Sequence, residues 1–244
     1  MFFSECKLQC RYCTYGYWCS SLKKVQHPSQ LLFASIPFIF GVQQIAEGIL
    51  WLTLPYPDSV NTQRIFTYIF LFFAQIIWPI WVPIALLLVE KNSTRRNTQR
   101  MLVGAGLIVS LYLGYCLLAF NVEAKIIGHH ISYLQDYPIS FKNTSIIFYS
   151  FATIAPPFFS HIKHMWMLGT TILISYVVTT IFYEHYIVSV WCFFSSIISL
   201  SIYAIMKKIH HTHQQNMYDK SVTIPNSLTS IFHFSLTKKP ISKN

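Results

Sequence analysis

The run LFFAQIIWPIWVPIALLLVE, residues 71–90, decides the class of fold. From residue 65 to Val89 the chain carries no charged side chain. A helix needs about 20 predominantly apolar residues to cross the hydrocarbon core of a bilayer. This run is long enough, and it therefore predicts a transmembrane helix.

The composition of the whole chain agrees with a membrane protein. Of its 244 residues, 53% are hydrophobic and only 11% are charged, whereas a soluble domain carries about 25% charged residues. The mean hydropathy is +0.43. A net charge of +10 is compatible with nucleic-acid binding, but the basic residues form short clusters between apolar runs, as in the cytoplasmic loops of membrane proteins. We therefore expect the lipid bilayer as a partner, and no nucleic acid.

Six apolar stretches predict an all-α, polytopic transmembrane helix bundle. Several prolines fall inside or at the ends of these stretches, and membrane helices tolerate them as kinks. Residues 1–30 precede the bundle, and the polar residues 207–244 are expected to form a flexible tail. The predicted spans lie near residues 31–54, 65–89, 101–120, 144–160, 165–182 and 186–206.

Basic residues in alternate loops predict the orientation. Arg64, Lys125 and Lys142 are the basic residues of one set of loops. The richer set marks the cytoplasmic side, so we expect an inner-membrane protein with its C-terminus in the cytoplasm. This richer set comprises Lys23, Lys24, Lys91, Arg95, Arg96, Arg100, Lys163, Lys207 and Lys208.

Cysteines near the N-terminus give the sharpest motif of the chain. In CKLQCRYC, residues 6–13, Cys6, Cys10 and Cys13 have the C-x3-C-x2-C spacing that resembles radical-SAM enzymes, in which three thiolates hold an iron–sulfur cluster. Those enzymes need a soluble barrel of alternating strands and helices, and this chain shows no such alternation and enters the bilayer by residue 31. We therefore reject radical-SAM activity and expect no cofactor.

A second resemblance covers most of residues 23–206. The matching stretches make the chain similar to a family of uncharacterised bacterial multi-pass membrane proteins, a domain of unknown function. The resemblance implies seven helices, of which six are legible here, and it implies no known activity. Its motifs are PFIFGVQQIAEGILWL (37–52), LFFAQIIWPIWVPIALLLVE (71–90), GHHISY (128–133), YSFATIAPPFFSH (149–161) and VWCFFS (190–195).

The N-terminal segment departs from that family. Members typically begin Met-Cys-Phe-Ser-Ala and run at once into an apolar helix; Met1, Phe3 and Ser4 fit this start, but residues 5–20 do not. Codons that encode this stretch can be read, one base out of frame, as an apolar helix. We predict that residues 5 to about 20 are an out-of-frame translation, and gene codons incompatible with the shifted reading would disprove it.

Polar residues inside the first two spans are the candidate binding site. Gln43 and Gln44 precede Glu47 by four and three residues, so all three share one helix face. A carboxylate in hydrocarbon costs at least about 2.5 kcal/mol, so Glu47 should face the bundle interior. Gln75, in the middle of the next span, is placed to hydrogen-bond to Glu47. The same residues also suit hydrogen bonds that join helices.

Histidines and a carboxylate in the loops of the outer side suggest a second site. His129, His130, Glu184 and His185 could hold Zn²⁺ or relay protons, although their spacing matches no closed metal motif. Three functions therefore remain open. They are a sensor or carrier that binds a small polar solute, ion or proton at the Gln/Glu site, an intramembrane metal-dependent hydrolase, and a structural assembly partner.

Overall fold

The computed structural model describes residues 16–17, 19–128, 130–137, 139–182 and 194–235. These residues are mostly helical, and the sheet among them is one two-stranded hairpin. The all-α prediction is confirmed, and the hairpin lies where the sequence analysis placed only a loop. Contacts divide the chain into two units, Met1–Met206 and Lys207–Asn244.

The first half of the chain forms three helical stretches that correspond to the first three predicted spans. Each stretch begins earlier than predicted, because polar turns extend the helices beyond the apolar runs. The elements are a 3-10 turn (Pro28–Gln30), α1 (Leu31–Ala34), α2 (Ile36–Thr53), a second 3-10 turn (Pro57–Ser59), α3 (Val60–Leu71), a π-helical segment (Phe72–Ile77), α4 (Trp78–Val89) and α5 (Ser93–Ala119).

The π-helical segment interrupts the second stretch in its middle. The N–H of Trp78 donates to the carbonyl of Phe73, five residues earlier. Pro79 follows and has no N–H, so the next carbonyl in that series, that of Ala74, is left without a backbone donor. The hydroxyl of Tyr149 donates to this carbonyl at 2.6 Å. A side chain from a distant helix therefore completes the broken span.

Small residues of α5 pack directly against the same break. Gly106 lies so close to the carbonyl of Pro79 that no Cβ atom fits between them. Pro83 cannot donate to that carbonyl, which therefore lacks its usual helical partner. One turn further along α5, the hydroxyl of Ser110 donates to the carbonyl of Ile76 at 2.8 Å. A glycine and a serine spaced by four residues let the two helices approach closely, as is common in membrane bundles.

The start of α5 lies before the predicted span, because polar residues form the first turns of the helix. Asn92 accepts hydrogen bonds from the N–H groups of Thr94 and Arg95, at 3.0 and 3.2 Å. This cap satisfies N–H groups that have no acceptor within the helix. Gln99, in the next turn, donates to the carbonyl of Pro156 at 2.8 Å. The polar first turns of α5 are thus fixed by the cap at Asn92 and by the hydrogen bond from Gln99.

A β-hairpin follows α5 and closes the end of this half of the molecule that lies opposite the start of α5. Strands β1 (Val122–Ile127) and β2 (His130–Gln135) pair antiparallel, and the pairing of Ile127 with His130 leaves two residues for the turn. The first of them, Gly128, has a φ of 60°, which favours glycine. One face of the hairpin joins an apolar cluster that includes Leu50, Phe70, Leu117, Ala124 and Ile131.

The remaining described elements are helices. They are α6 (Ile139–Phe158), α7 (Met165–Phe182) and α8 (Ser195–Ser235). The first two correspond to the predicted fourth and fifth spans. The start of the predicted sixth span lies outside the described residues. Helix α8 continues past Met206 to Ser235, and the flexibility expected of residues 207–244 stays a prediction.

The outer surface of the helices is apolar. Within the described residues, three helical stretches are long and apolar enough to cross a membrane, Pro28–Thr53, Pro57–Val89 and Ser93–Ala119. Helix α5 turns Gly106 and Ser110 inward and large apolar side chains outward. A continuous apolar surface of this kind is unfavourable in water and indicates a membrane-embedded protein. The exposed side chains of α5 are Met101, Leu107, Ile108, Leu111, Tyr115 and Leu118.

Candidate functional site

A polar face of α2 is buried in the interior of the bundle. Gln43 and Glu47 are each only 1% exposed, and Gln44 is 5% exposed. The spacing of three and four residues brings all three side chains onto one side of the helix. The sequence analysis identified this face, and the structure places it away from the apolar outer surface.

Trp78 links this face to the broken span. Its indole N–H donates to Oε1 of Gln43 at 2.7 Å, and both side chains are buried. The ring of Trp78 stacks on that of Phe40, with centroids 4.0 Å apart. Gln43 and Trp78 are therefore held in fixed orientations, and the amide of Gln43 is anchored at its oxygen.

Gln75 lies one turn before Trp78, next to the π-helical break. Its amide nitrogen donates to Oε1 of Gln135 at 3.1 Å, and its amide oxygen accepts from the hydroxyl of Tyr137 at 3.1 Å. Its hydrogen bonds therefore go to the hairpin and to the residues that follow it, whereas the sequence analysis placed it to bond Glu47. Burial raises the pKa of the Tyr137 phenol well above its usual range, so this hydroxyl remains a hydrogen-bond donor.

Glu47 and Gln75 occupy the same level of the bundle. Helix α2 runs antiparallel to the second stretch, and the contact of Gln43 with Trp78 fixes their relative position. On α2, Glu47 lies one turn from Gln43 in the direction of the hairpin. On the second stretch, Gln75 lies one turn from Trp78 in the same direction. Glu47 and Gln75 thus belong to one layer of polar groups, on the side of the molecule that the hairpin closes.

A second buried carboxylate lies at the other end of the second stretch. Glu90 follows α4 and is 4% exposed. Its Oε1 accepts from the N–H of Asn92 at 3.0 Å, and its Oε2 accepts from the N–H of His161 at 2.7 Å and the hydroxyl of Ser160 at 3.0 Å. Burial would raise the pKa of Glu90, but these hydrogen bonds outweigh it and hold the pKa below its ordinary value.

The sequence analysis assigned no role to Glu90, Gln135 or Tyr137. Glu90 was visible as a charged residue that ends a long apolar run, but its partners Ser160 and His161 lie 70 and 71 residues away, and no local spacing reveals them. Gln135 ends, and Tyr137 follows, a stretch in which apolar and polar residues alternate, VEAKII and HISYLQ, on either side of Gly128. That alternation was the available signal for the hairpin.

The predicted metal site lies mostly beyond the described part of the chain. His129, Glu184 and His185 lie outside the described residues, and His130 begins β2. Cys6, Cys10 and Cys13 are outside them as well. Within the described residues, no group of three or more His, Cys, Asp or Glu side chains is arranged to hold a metal ion.

Comparisons with known proteins agree with the resemblance inferred from the sequence. A family model described as "Family of unknown function (DUF6629)" matches residues 13–217. The matched range contains all the motifs on which the resemblance rested, and the expected uncharacterised family is confirmed. The chain matched no curated protein and no solved structure.

Proposed function

We propose that this chain, which belongs to that family of unknown function, is a multi-pass membrane protein that senses or carries a small polar solute, an ion or a proton. One observation supports the proposal above all others. Gln43, Gln44 and Glu47 are buried on one face of an apolar helix, beside the break in the next helical stretch. Ionisable residues inside a membrane are costly, and they commonly mark ligand or proton pathways.

The chemistry of the face fits a small polar ligand. Glu47 offers a carboxyl group that can bind a cation or exchange a proton. The amides of Gln43 and Gln44 add both donors and acceptors on the same side of the helix. The hydrogen bond from Trp78 orients the first of these amides, so part of the site is already organised before a ligand arrives.

The interrupted span supports a binding site at this level. In many membrane transporters, ligands bind near the middle of the bilayer, where helices are broken and backbone carbonyls are no longer paired within the helix. Here the break lies between Leu71 and Trp78, and hydroxyls of Tyr149 and Ser110 bond to its carbonyls. A ligand that competes with these hydroxyls would loosen the contacts between helices.

The hairpin provides the direction of access. The basic residues of Lys91–Arg100 lie at the end opposite the hairpin, so the distribution of positive charge supports an orientation with the hairpin outside the cell membrane. Gln75 joins the polar layer to Gln135 and Tyr137 of that end. A ligand would then enter from the hairpin side, and changes at Gln75 would reach the outer surface through the hairpin.

Ligand-dependent thermal stabilisation tests this function. The purified protein, in nanodiscs of phosphatidylcholine only, is screened by thermal unfolding against alkali cations, small amines, amino acids and a pH series. A compound that binds the folded state raises the unfolding temperature. Glu47→Gln keeps the shape of the side chain, removes its ionisable group and should abolish the response.

The matched control changes an exposed carboxylate. Glu123 lies on the hairpin, in an exposed pair with Lys125, and Glu123→Gln should leave the response intact. An unchanged response in Glu47→Gln would disprove the site. Metal analysis of the same preparations tests the hydrolase alternative, because stoichiometric Zn or Fe would favour that reaction class over a sensor or carrier.

A further inference from the structure

We infer that the end of the bundle around Glu90 is a docking surface for the phosphate headgroups of anionic lipids. This surface, called here the basic end, comprises Lys91, Arg95, Arg96, Arg100 and Lys163, and all five side chains are exposed. It is separate from the buried Gln/Glu face, and it presupposes only that the bundle is embedded in a bilayer.

The hydrogen bonds of Glu90 bring two basic loops together. Glu90 bonds to the backbone of Asn92 within its own loop and to that of His161 in the loop after α6. Lys91 is adjacent to Glu90, and Lys163 lies two residues beyond His161. The buried carboxylate therefore holds these two lysines at one end of the bundle, although they are far apart in the sequence.

The first turns of α5 extend the same positive surface. Arg96 and Arg100 are four residues apart and share one face of the helix. Arg100 also donates to Oδ1 of Asn97 at 3.0 Å, which limits its conformations. The first turn of α5 contains no acidic residue, so the positive end of the helix dipole adds to the charge of the arginines.

The described residues give these cations no ion-pair partner. Among the described residues, none of the five makes an ion pair; the exposed pair found there joins Lys125 to Glu123 at the hairpin. The sequence has no acidic residue between Glu90 and Glu123, or between Asp136 and Glu184. Glu90 itself is buried, and both of its oxygens accept hydrogen bonds from the protein. The basic end is therefore open to an anion from outside the chain.

An anionic lipid headgroup fits this surface better than other anions do. The basic end borders the apolar surface of α4 and α5. Headgroup phosphates lie at this level beside a helix embedded in a bilayer. Clusters of four to eight Lys and Arg next to a membrane helix attract anionic lipids, and each of these residues raises the affinity about fivefold. Arginine adds paired hydrogen bonds to phosphate oxygens.

Lipid titration tests this inference. Short-chain phosphatidylglycerol is titrated into the full-length protein in neutral detergent, and binding is followed by the shift in unfolding temperature. In the triple variant Lys91→Gln, Arg95→Gln, Arg96→Gln, the apparent Kd should rise about 100-fold. The control Arg64→Gln, Lys125→Gln removes two cations from the hairpin end and should stay within twofold of the wild type.

Two further probes separate lipid from other anions. Inorganic phosphate should bind the wild type with an apparent affinity at least tenfold lower than that of phosphatidylglycerol. Phosphatidylcholine should shift the unfolding temperature equally in the wild type and the triple variant. Equal stabilisation by phosphate would overturn the lipid assignment in favour of a soluble phosphorylated ligand. Tighter binding of a single-stranded oligonucleotide than of phosphatidylglycerol would overturn it as well.

The outcome stays interpretable if the triple variant folds poorly. Lys91→Gln and Lys163→Gln change exposed loop residues, and each should raise the apparent Kd about fivefold. Unchanged affinity in both single variants would overturn the inference. The Glu47 response is measured in phosphatidylcholine alone, so failure of the lipid site and failure of the ligand site are distinguishable.

Discussion

Glu47 and Glu90 are two buried carboxylates with opposite surroundings. Glu47 lies inside an apolar helix, among the amides of Gln43 and Gln44, on a face that crosses the middle of the bundle. Glu90 lies at the end of α4, where two backbone N–H groups and a serine hydroxyl converge on it. Both are shielded from solvent, and the oxygens of Glu90 accept hydrogen bonds from two backbone N–H groups.

The difference teaches how burial should be interpreted. Backbone N–H groups and hydroxyls that converge on a carboxylate stabilise its charge and fix loops, so Glu90 has a structural role. A carboxyl group among side-chain amides, next to a broken helix, retains the capacity to exchange a proton or a ligand. We therefore assign a structural role to Glu90, and we propose Glu47 as the ligand-binding carboxyl group.

The largest effect is expected from removing the hydrogen bonds that Glu90 accepts. Glu90→Ala removes a charged acceptor and takes from the N–H groups of Asn92 and His161 the carboxylate that accepts from them. Unfolding free energy should fall by about 3 kcal/mol, because hydrogen bonds to charged groups contribute roughly 1.5–3 kcal/mol each. Thermal unfolding in detergent measures the loss. Glu47→Gln should change stability by less than about 1 kcal/mol, since the shape is kept; equal losses in both variants would erase the distinction.

An intermediate effect is expected at the hairpin. Tyr137→Phe removes the hydroxyl that donates to Gln75 and leaves the amide oxygen with one partner fewer, at a cost of about 1 kcal/mol. Hydrogen exchange of β1 and β2 should become faster, since the hairpin loses a tie to the helices. Tyr115→Phe alters an exposed tyrosine of α5 and serves as the control. Unaltered exchange in Tyr137→Phe would show that the hydrogen bond from Tyr137 to Gln75 does not hold the hairpin.

The smallest expected effect is a change in acid sensitivity. The pKa of folded Glu90 lies below its ordinary value of 4.5. Its contribution to stability is therefore complete above pH 4.5 and is lost as the pH falls through the folded pKa, where the unfolded state binds more protons. Glu90→Gln should flatten the decline of unfolding temperature below pH 4.5. A decline as steep as in the wild type would show that other groups cause it.

The helices and the polar face of α2 could be predicted from the sequence. Runs without charge, such as residues 65–89, have few alternatives to a membrane helix. Glu47 with Gln43 and Gln44 stands out because polar residues are costly in such a run, and their spacing fixes the shared face. Both conclusions depend on local pattern alone.

The contacts that complete the fold could not be predicted in the same way. The carbonyl of Ala74 is freed by Pro79, which is local, but the hydroxyl that satisfies it comes from Tyr149, 75 residues away. Gly106 packs against the carbonyl of Pro79, and this contact also joins residues that are distant in the sequence. The hairpin was missed because its charged residues, Glu123 and Lys125, resemble a loop, although Gly128 and the alternation were present. Such pairings need the tertiary arrangement.

Direct binding to three proteins tests the central claim most sharply. Isothermal titration calorimetry with the best stabilising compound is carried out on the wild type, Glu47→Gln and Glu90→Gln, at a temperature where all three are folded. The wild type and Glu90→Gln should bind one ligand with similar Kd, and Glu47→Gln should give at least a 100-fold weaker Kd, because the carboxyl that contacts the ligand is gone. Equal binding by Glu47→Gln and the wild type would contradict the assignment of ligand binding to Glu47.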